Sequence, residues 1–411
     1  MAYNFPPMGG GGVQRSAKFV KYLPRFGWIP AVVAADDPSY WARDDTLIDD
    51  IAADTVVKRL SPLRPHALYY LLSRITSKAA SGRIMDSLFF PDDRILWALR
   101  AALAARAMIK KHAIRAVYTT SPPHSTHVSG LLLKRMTGLP WVADFRDSWT
   151  GDFRYDPPTR WVRRAHSCCE RKILEEADQV ICNTESSREN YITGFGIDPK
   201  RLVTIYNGFD ASDFIPNPGR RHRSSDRIVI THSGSFYGSY FPETFVRALA
   251  LALKNNADLE RRIVVRFVGV MDGEIRENIR GLLPDHCDFW GYVSHAEAIR
   301  AIAESDINLI VLPVEEKASY LVPGKLFEYL AAGRPILAIA PQGETARIIE
   351  SAGAGIVLSE DGAGELADGL SRAIPMLAAG GLVPDKATAD RFERRRLTGQ
   401  LAQVLNDVIG E

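Results

Sequence analysis

Cysteine is scarce in this chain. Cys168, Cys169, Cys182 and Cys287 are the only four, and none stands in a CxxC spacing. Neither a disulfide scaffold nor a cysteine-based zinc site is expected, and a reducing compartment fits best. No apolar run reaches the roughly 20 residues that a membrane-spanning helix needs, and no basic-then-apolar leader opens the chain. The expected location is therefore cytoplasmic, with peripheral contact at the inner face of the plasma membrane left open. Charge of one sign is also missing. Lys and Arg number 51 against 49 Asp and Glu, a formal net charge of +2, so nothing drives the whole chain toward a polyanion. No recognition motif accompanies the local basic clusters, and nucleic acid is not an expected partner. A third glycine is absent where a dinucleotide fingerprint needs one. Counted from Gly9, GxGxxG ends on Gln14, and from Gly10 on Arg15, which argues against NAD despite Asp36 and Asp37 after the next strand. The start lacks a full strand as well. Only Met1–Phe5 precede Pro6-Pro7 and the run Gly9–Gly12, so the first strand is read as truncated to a stub.

What is present is a repeated alternation. Short β-branched runs are separated by amphipathic helical stretches: Pro30–Ala35, Thr55–Leu60, Ala116–Thr120, Trp141–Phe145, Gln179–Thr184 and Leu202–Tyr206, then Arg227–Thr231, Ile263–Val268, Cys287–Trp290, Ile307–Leu312, Pro335–Ala340 and Gly355–Leu358. Near-continuous hydrophobicity in runs this short marks strands covered on both faces, and the intervening helices imply right-handed crossovers. The fold class is α/β, with two doubly wound Rossmann-like domains. The expected division is an N-terminal domain over 1–209 and a linker over 210–226, rich in Pro, Gly and Arg. A second domain over 227–390 and a C-terminal helix over 391–411 complete it.

The most informative segment is Pro323-Gly324-Lys325-Leu326-Phe327-Glu328-Tyr329-Leu330-Ala331-Ala332-Gly333-Arg334-Pro335. It reads as a loop, a short helix opened by Gly-Lys, and a stop. Such a helix start offers backbone N–H groups and a positive dipole end beside a lysine, which suits a diphosphate. Glu328, on the Lys325 face by the i, i+3 rule, suits a ribose diol. An ordinary helix with solvent-facing Lys and Glu is the plain alternative. Ser233-Gly234-Ser235 after a strand forms a second small-residue turn suited to phosphate. Gly11 and Gly12 let a ligand approach the backbone. Asp144, Arg146 and Asp147 end a parallel strand, where open α/β sheets bind ligands; an Asp–Arg pair that fixes a loop is the plain alternative. Trp149 is placed to stack on a sugar, His124 or His127 to face the cleft or else to serve as a structural donor, and Ser125 or Thr126 to cap the helix that runs to Met136. The stretch Lys58 to Met85 carries six Lys or Arg and no acid before Met85, among Leu68, Tyr69, Tyr70, Leu71, Leu72 and Ile75. It is a candidate for resting on anionic lipid, or else a solvated helix face.

Together these segments resemble the two-domain family 4 glycosyltransferases, along nearly the whole chain. The resemblance rests on Phe5-Pro6-Pro7-Met8-Gly9-Gly10-Gly11-Gly12-Val13-Gln14-Arg15, on Ala143–Trp149, on Asn207-Gly208-Phe209-Asp210 and on Pro323–Gly333. It implies the GT-B fold, two Rossmann-like domains facing across a cleft, the N-terminal one binding the acceptor, the C-terminal one the nucleotide sugar, and the helix over 391–411 returning to the first domain. It also implies retaining, metal-independent transfer of a hexose from a nucleotide-diphosphate sugar, with no cofactor, and a glycan or lipid-linked acceptor of cell-surface polysaccharide or lipopolysaccharide. By motif, Glu328 matches the ribose-binding glutamate, Gly324 to Leu326 the diphosphate loop, and Gly11 and Gly12 the glycines near the donor. The 144–147 segment matches the region near the transferred sugar. The family's first glutamate falls on Tyr320, and its Arg and Lys after the first strand of the second domain are replaced by Gly234-Ser235-Phe236-Tyr237. Lys325 is then the candidate for charge at the leaving diphosphate, and Asp144 and Asp147 for orienting sugar hydroxyls. An epimerase or phosphorylase on the same fold, or a non-catalytic partner subunit, are the alternatives.

Overall fold

A computed structural model describes the chain except residues 41, 64–65, 78–79, 82–83, 86–87, 153–154, 215–225, 237–241, 314–315 and 360–361, and for 66–70 it describes the backbone alone. Most of the expected linker, and Arg64, Lys78 and Arg83 of the basic stretch, lie outside the described residues. The chain divides into two compact units, Met1–Asn207 with Arg395–Glu411, and Gly208–Arg394.

In the first unit, α1 (Gly11–Tyr22) is followed by β1 (Ala31–Ala35) and β2 (Val56–Leu60), which pair in parallel. After α2 (His66–Ile75) and α3 (Ile95–His112) come β3 (Val117–Ser121), α4 (Ser125–Thr137), β4 (Trp141–Phe145), α5 (Arg160–Glu176), β5 (Gln179–Cys182), α6 (Glu185–Phe195) and β6 (Leu202–Thr204). Strands β3 to β6 form a parallel sheet in sequence order. The stub lies between the two sheets. Ala2 N–H donates to the Val33 carbonyl and Ala35 N–H to the Tyr3 carbonyl, while Thr120 N–H donates to the Met1 carbonyl. Met1–Tyr3 thus holds the central position, and the glycine run leaves from its carboxyl end. A cavity of about 610 Å³ adjoins the stub, walled by Phe5, Phe19, Trp28, Leu133, Leu401 and Leu405.

Helix α1 starts inside the glycine run, at Gly11, and Pro24 turns its end into a 3₁₀ turn, Leu23–Phe26. Neither Ser125 nor Thr126 caps α4. The Ser125 N–H is held at 2.9 Å by the carboxylate of Asp92, which comes from a neighbouring loop.

The second unit contains β7 (Ile228–Ser233), α7 (Glu243–Asn255), α8 (Ala257–Arg262), β8 (Ile263–Val268), α9 (Gly273–Leu282), β9 (Cys287–Gly291), α10 (His295–Ala303), β10 (Ile307–Val311), α11 (Lys325–Ala332), β11 (Ile336–Ile339), α12 (Glu344–Ser351), β12 (Gly355–Leu358), α13 (Ala363–Ala378) and α14 (Lys386–Asp390). All six strands run parallel, in the order β12-β11-β10-β7-β8-β9. The strand order reverses between β7 and β10. In a doubly wound sheet that switch point opens a crevice at the carboxyl ends, where ligands bind. The last helix, α15 (Arg394–Ile409), returns its apolar side to the first unit. Leu397, Leu401 and Leu405 pack with Phe19, Val142, Ile181 and Ile205.

Candidate functional site

The strongest convergence of functional side chains is at the switch point of the second unit. Strand β7 ends on His232 and Ser233, and the chain then turns at Gly234 with φ +145°. That conformation suits glycine alone. Space makes the same demand, because a Cβ here would stand 2.6 Å from Lys325 Nζ. The turn is fixed from two sides. Gly234 N–H donates to the Val268 carbonyl at 2.7 Å, and Ser233 N–H donates to the Tyr329 hydroxyl at 2.8 Å. Lys325 and Tyr329 share one face of α11 by the i, i+4 rule, so one helix face meets the end of β7 twice.

Lys325 is half-buried, with Nζ 2.9 Å from His232 Nε2. Burial pushes its pKa down to about 7, against a smaller opposing pull from Glu328. Glu328 is also half-buried. Burial raises its pKa, and His295 and Arg394 oppose that rise. His295 itself pairs with Asp213 at 3.0 Å. An ammonium, a turn of small residues and a carboxylate one helical turn on therefore share this corner.

The expected donor residues divide here. Ser233, Gly234, Lys325 and Glu328 lie around the corner, and Ser235 follows in the turn. Gly324 is the N-cap of α11 and makes no side-chain cap bond. Leu326 departs from expectation. Its side chain is fully buried, and its N–H already donates to the Pro323 carbonyl at 3.0 Å. Two residues that sequence reasoning passed over, His232 and Tyr329, complete the corner. The i, i+4 spacing of Tyr329 from Lys325 was the available signal for the second.

The first unit places its expected residues differently. Asp144 is fully buried and does not face a ligand. Its Oδ1 takes Arg15 Nη2 at 2.7 Å, and its Oδ2 takes Arg15 Nε at 3.0 Å, the Tyr118 hydroxyl at 2.5 Å and the Thr120 hydroxyl at 2.8 Å. Burial alone would raise its pKa, but Arg15 with these hydroxyls lowers it overall. Arg15 also donates to the Ile205 and Tyr206 carbonyls. Asp144 thus locks α1 to β4 and to the end of β6, a positioning role rather than a catalytic one. Arg146 is similarly spent on backbone. It donates to the carbonyls of Ser121, Pro122 and Gly12, and burial lowers its pKa. Gly12 is where that guanidinium approaches, since a Cβ there would meet Nη1 at 3.2 Å, whereas a Cβ at Gly11 would meet open space. Arg146 therefore holds the glycine loop in shape instead of meeting substrate. Trp149 is 3% exposed, and its ring is stacked on His124 at 4.7 Å. That ring face is covered by the other expected acceptor residue, so Trp149 is no open platform for a sugar. Asp147 is half-buried just beyond β4. Among the described residues no group of three or more His, Cys, Asp or Glu is placed to hold a metal ion.

Residues 10–208 match the family described as "Glycosyl transferase 4-like domain", and residues 227–375 match "Glycosyl transferases group 1". The chain belongs to the family 4 glycosyltransferases. This glycosyltransferase is 24% identical over 299 residues to the D-inositol 3-phosphate glycosyltransferase of Kribbella flavida, covering 65% of this chain and 66% of that protein. The chain spans less than two thirds of the length of such curated relatives. Among solved structures it is similar to the sucrose-phosphate synthase of Thermosynechococcus elongatus, with TM-score 0.64 and 16% identity over 100% of this chain and 96% of that one. It is also similar to WaaG, a glycosyltransferase involved in lipopolysaccharide biosynthesis, with TM-score 0.62 and 16% identity over 98% of each chain. These likenesses show the GT-B fold.

Proposed function

We propose that this glycosyltransferase moves a hexose, with retention, from a nucleotide-diphosphate sugar to a glycan or lipid-linked acceptor of a cell-surface polysaccharide. The observation that carries the donor half is the meeting of Lys325, the Ser233–Ser235 turn and Glu328 at the switch point. The diphosphate lies against the Gly234 turn, with the Lys325 ammonium on its charge and Glu328 on the ribose hydroxyls. As the sugar–phosphate bond breaks, negative charge grows on the leaving diphosphate, and a fixed cation there lowers the barrier. The acceptor hydroxyl attacks from the leaving-group side and passes its proton to the departing diphosphate, so no dedicated protein base is required. This reading takes the charge from Lys325, without a metal or a cofactor.

The test is a thermal-shift screen against a panel of nucleotide-diphosphate sugars, followed by product analysis with the best binder. A ligand held only by the folded state raises Tm. One sugar nucleotide is expected to give a shift that Glu328→Ala reduces. Turnover without a separate acceptor would instead mark an epimerase, and no binding at all a non-catalytic subunit.

The acceptor side of the proposal includes contact with an anionic membrane surface. It is supported by Leu71 and Ile75, 60% and 74% exposed and one turn apart on α2, with exposed Arg74 beside them. Amphipathic helices with basic neighbours dock this way. Flotation with vesicles containing anionic lipid is expected to carry the protein, and Leu71→Glu with Ile75→Glu to release it. Equal flotation of both forms removes this contact from the proposal.

A further inference from the structure

Of all the polar contacts at the switch point, the one between Lys325 and His232 has the most defined chemistry. His232 is fully buried, its ring stacked on Phe236 at 4.4 Å and tilted against Phe267 at 6.5 Å. Its Nδ1 lies 3.1 Å from the Leu309 carbonyl of β10. A carbonyl only accepts, so Nδ1 carries the hydrogen. A neutral imidazole has one N–H, which leaves Nε2 as a bare lone pair aimed at Lys325 Nζ 2.9 Å away. The ammonium donates one of its three N–H bonds there and keeps two for a ligand.

We propose that His232 is the positioning residue of the donor site: through a single tautomer it fixes where the Lys325 ammonium stands and the direction in which its remaining N–H bonds meet a diphosphate. The assignment rests on the diphosphate reading given above and extends it to a residue behind the first contact. The geometry limits the alternatives. An imidazolium would turn a second N–H toward the ammonium, and burial together with Lys325 keeps the ring neutral. A ring of the other tautomer would lose the Leu309 carbonyl. The neighbouring charges are Glu328 on the helix of Lys325, His295 on α10, Asp213 on the turn Ala211–Asp213, and Arg394. Glu328 favours the charged lysine. Across the ring, Phe236 and Phe267 add no charge of their own.

The test compares wild type with His232→Leu, which keeps bulk but has no acceptor, and His232→Gln, whose carboxamide oxygen restores one. Melting temperatures check that each variant folds. UDP, GDP, ADP and dTDP are titrated across about pH 6 to 8, and the reaction of Lys325 with acetic anhydride is followed over the same range by peptide mass spectrometry. In wild type, nucleoside-diphosphate affinity is expected to fall as pH rises through about 7, because the ammonium is lost. His232→Leu is expected to weaken that binding about tenfold or more. It should also move both the binding profile and the lysine's reactivity to lower pH, since the ammonium loses an acceptor. His232→Gln is expected to recover most of both effects. An unchanged reactivity profile in His232→Leu overturns the assignment, whatever binds. Absence of nucleoside-diphosphate binding in wild type would overturn the donor-site reading instead, and the acetylation arm would still decide whether His232 governs Lys325.

Discussion

Lys325→Ala is expected to lower kcat/KM with the true donor by about 100-fold or more, the typical effect of losing one well-placed donor at a developing anion, about 3–4 kcal/mol. The side chain lies against the Gly234 turn at the carboxyl end of β7, and the turn itself, Ser233-Gly234-Ser235-Phe236, carries no lysine or arginine. Lys325→Arg is not a neutral control. Its planar fork is larger than an ammonium, and Nζ already stands where a Gly234 Cβ would be only 2.6 Å away. The pH dependence has a definite sign. With a pKa near 7, the free enzyme holds a charged lysine below that value and progressively loses it above. The profile of kcat/KM, which reports the free enzyme, is expected to decline on the alkaline side from about pH 7, and Lys325→Ala to abolish that limb. A loss smaller than about fivefold, under about 1 kcal/mol, would take Lys325 out of the chemistry.

The second large effect is on stability. Asp144→Ala leaves Arg15 buried with no counter-charge and also frees the Tyr118 and Thr120 hydroxyls. Breaking one side of a buried ion pair typically costs about 3–5 kcal/mol, a large share of the stability of an ordinary domain. Denaturant unfolding of Asp144→Ala is expected to show that loss as a lowered midpoint. Asp144→Asn is expected to lose less, because it keeps an acceptor. The sign with pH follows from the lowered pKa of Asp144 in the folded protein. Its contribution is complete above the ordinary carboxylate value of 3.8 and is lost as pH falls below that through the folded value. An unfolding free energy within about 0.5 kcal/mol of wild type would show that α1 does not depend on this pair.

Much of the framework is legible because parallel strands are covered on both faces. Trp141–Phe145 and Ile263–Val268 are apolar runs broken only by Asp144 and Arg266, and their ends coincide with the strands. Lys325 and Glu328 were readable because a Gly-Lys helix start carries its meaning locally. Asp144 was misread for a reason that strand parity exposes. On the pleat, Val142 and Asp144 point to one face and Ala143 and Phe145 to the other. Val142 packs in the cluster that includes Phe19 of α1, so Asp144 had to point toward α1 as well. Its partner Arg15 lies 129 positions away, beyond any local pattern. His232 escaped for the same cause. Its two partners, Leu309 and Lys325, are 77 and 93 positions distant, and a histidine at the end of a strand carries no mark of which nitrogen is bare.

The return of α15 to the first unit has a consequence for synthesis. Phe19, Val142 and Ile181 are made early, yet the Leu397, Leu401 and Leu405 surface that covers them leaves the ribosome only after the whole of Gly208–Arg394. Gly208–Arg394 is one uninterrupted stretch and can fold while the tail is still being translated. The amino-terminal half must instead wait with an apolar side uncovered until Arg395–Glu411 emerges. A nascent chain stalled before α15 is therefore the form on which chaperones would find their longest-lived greasy surface.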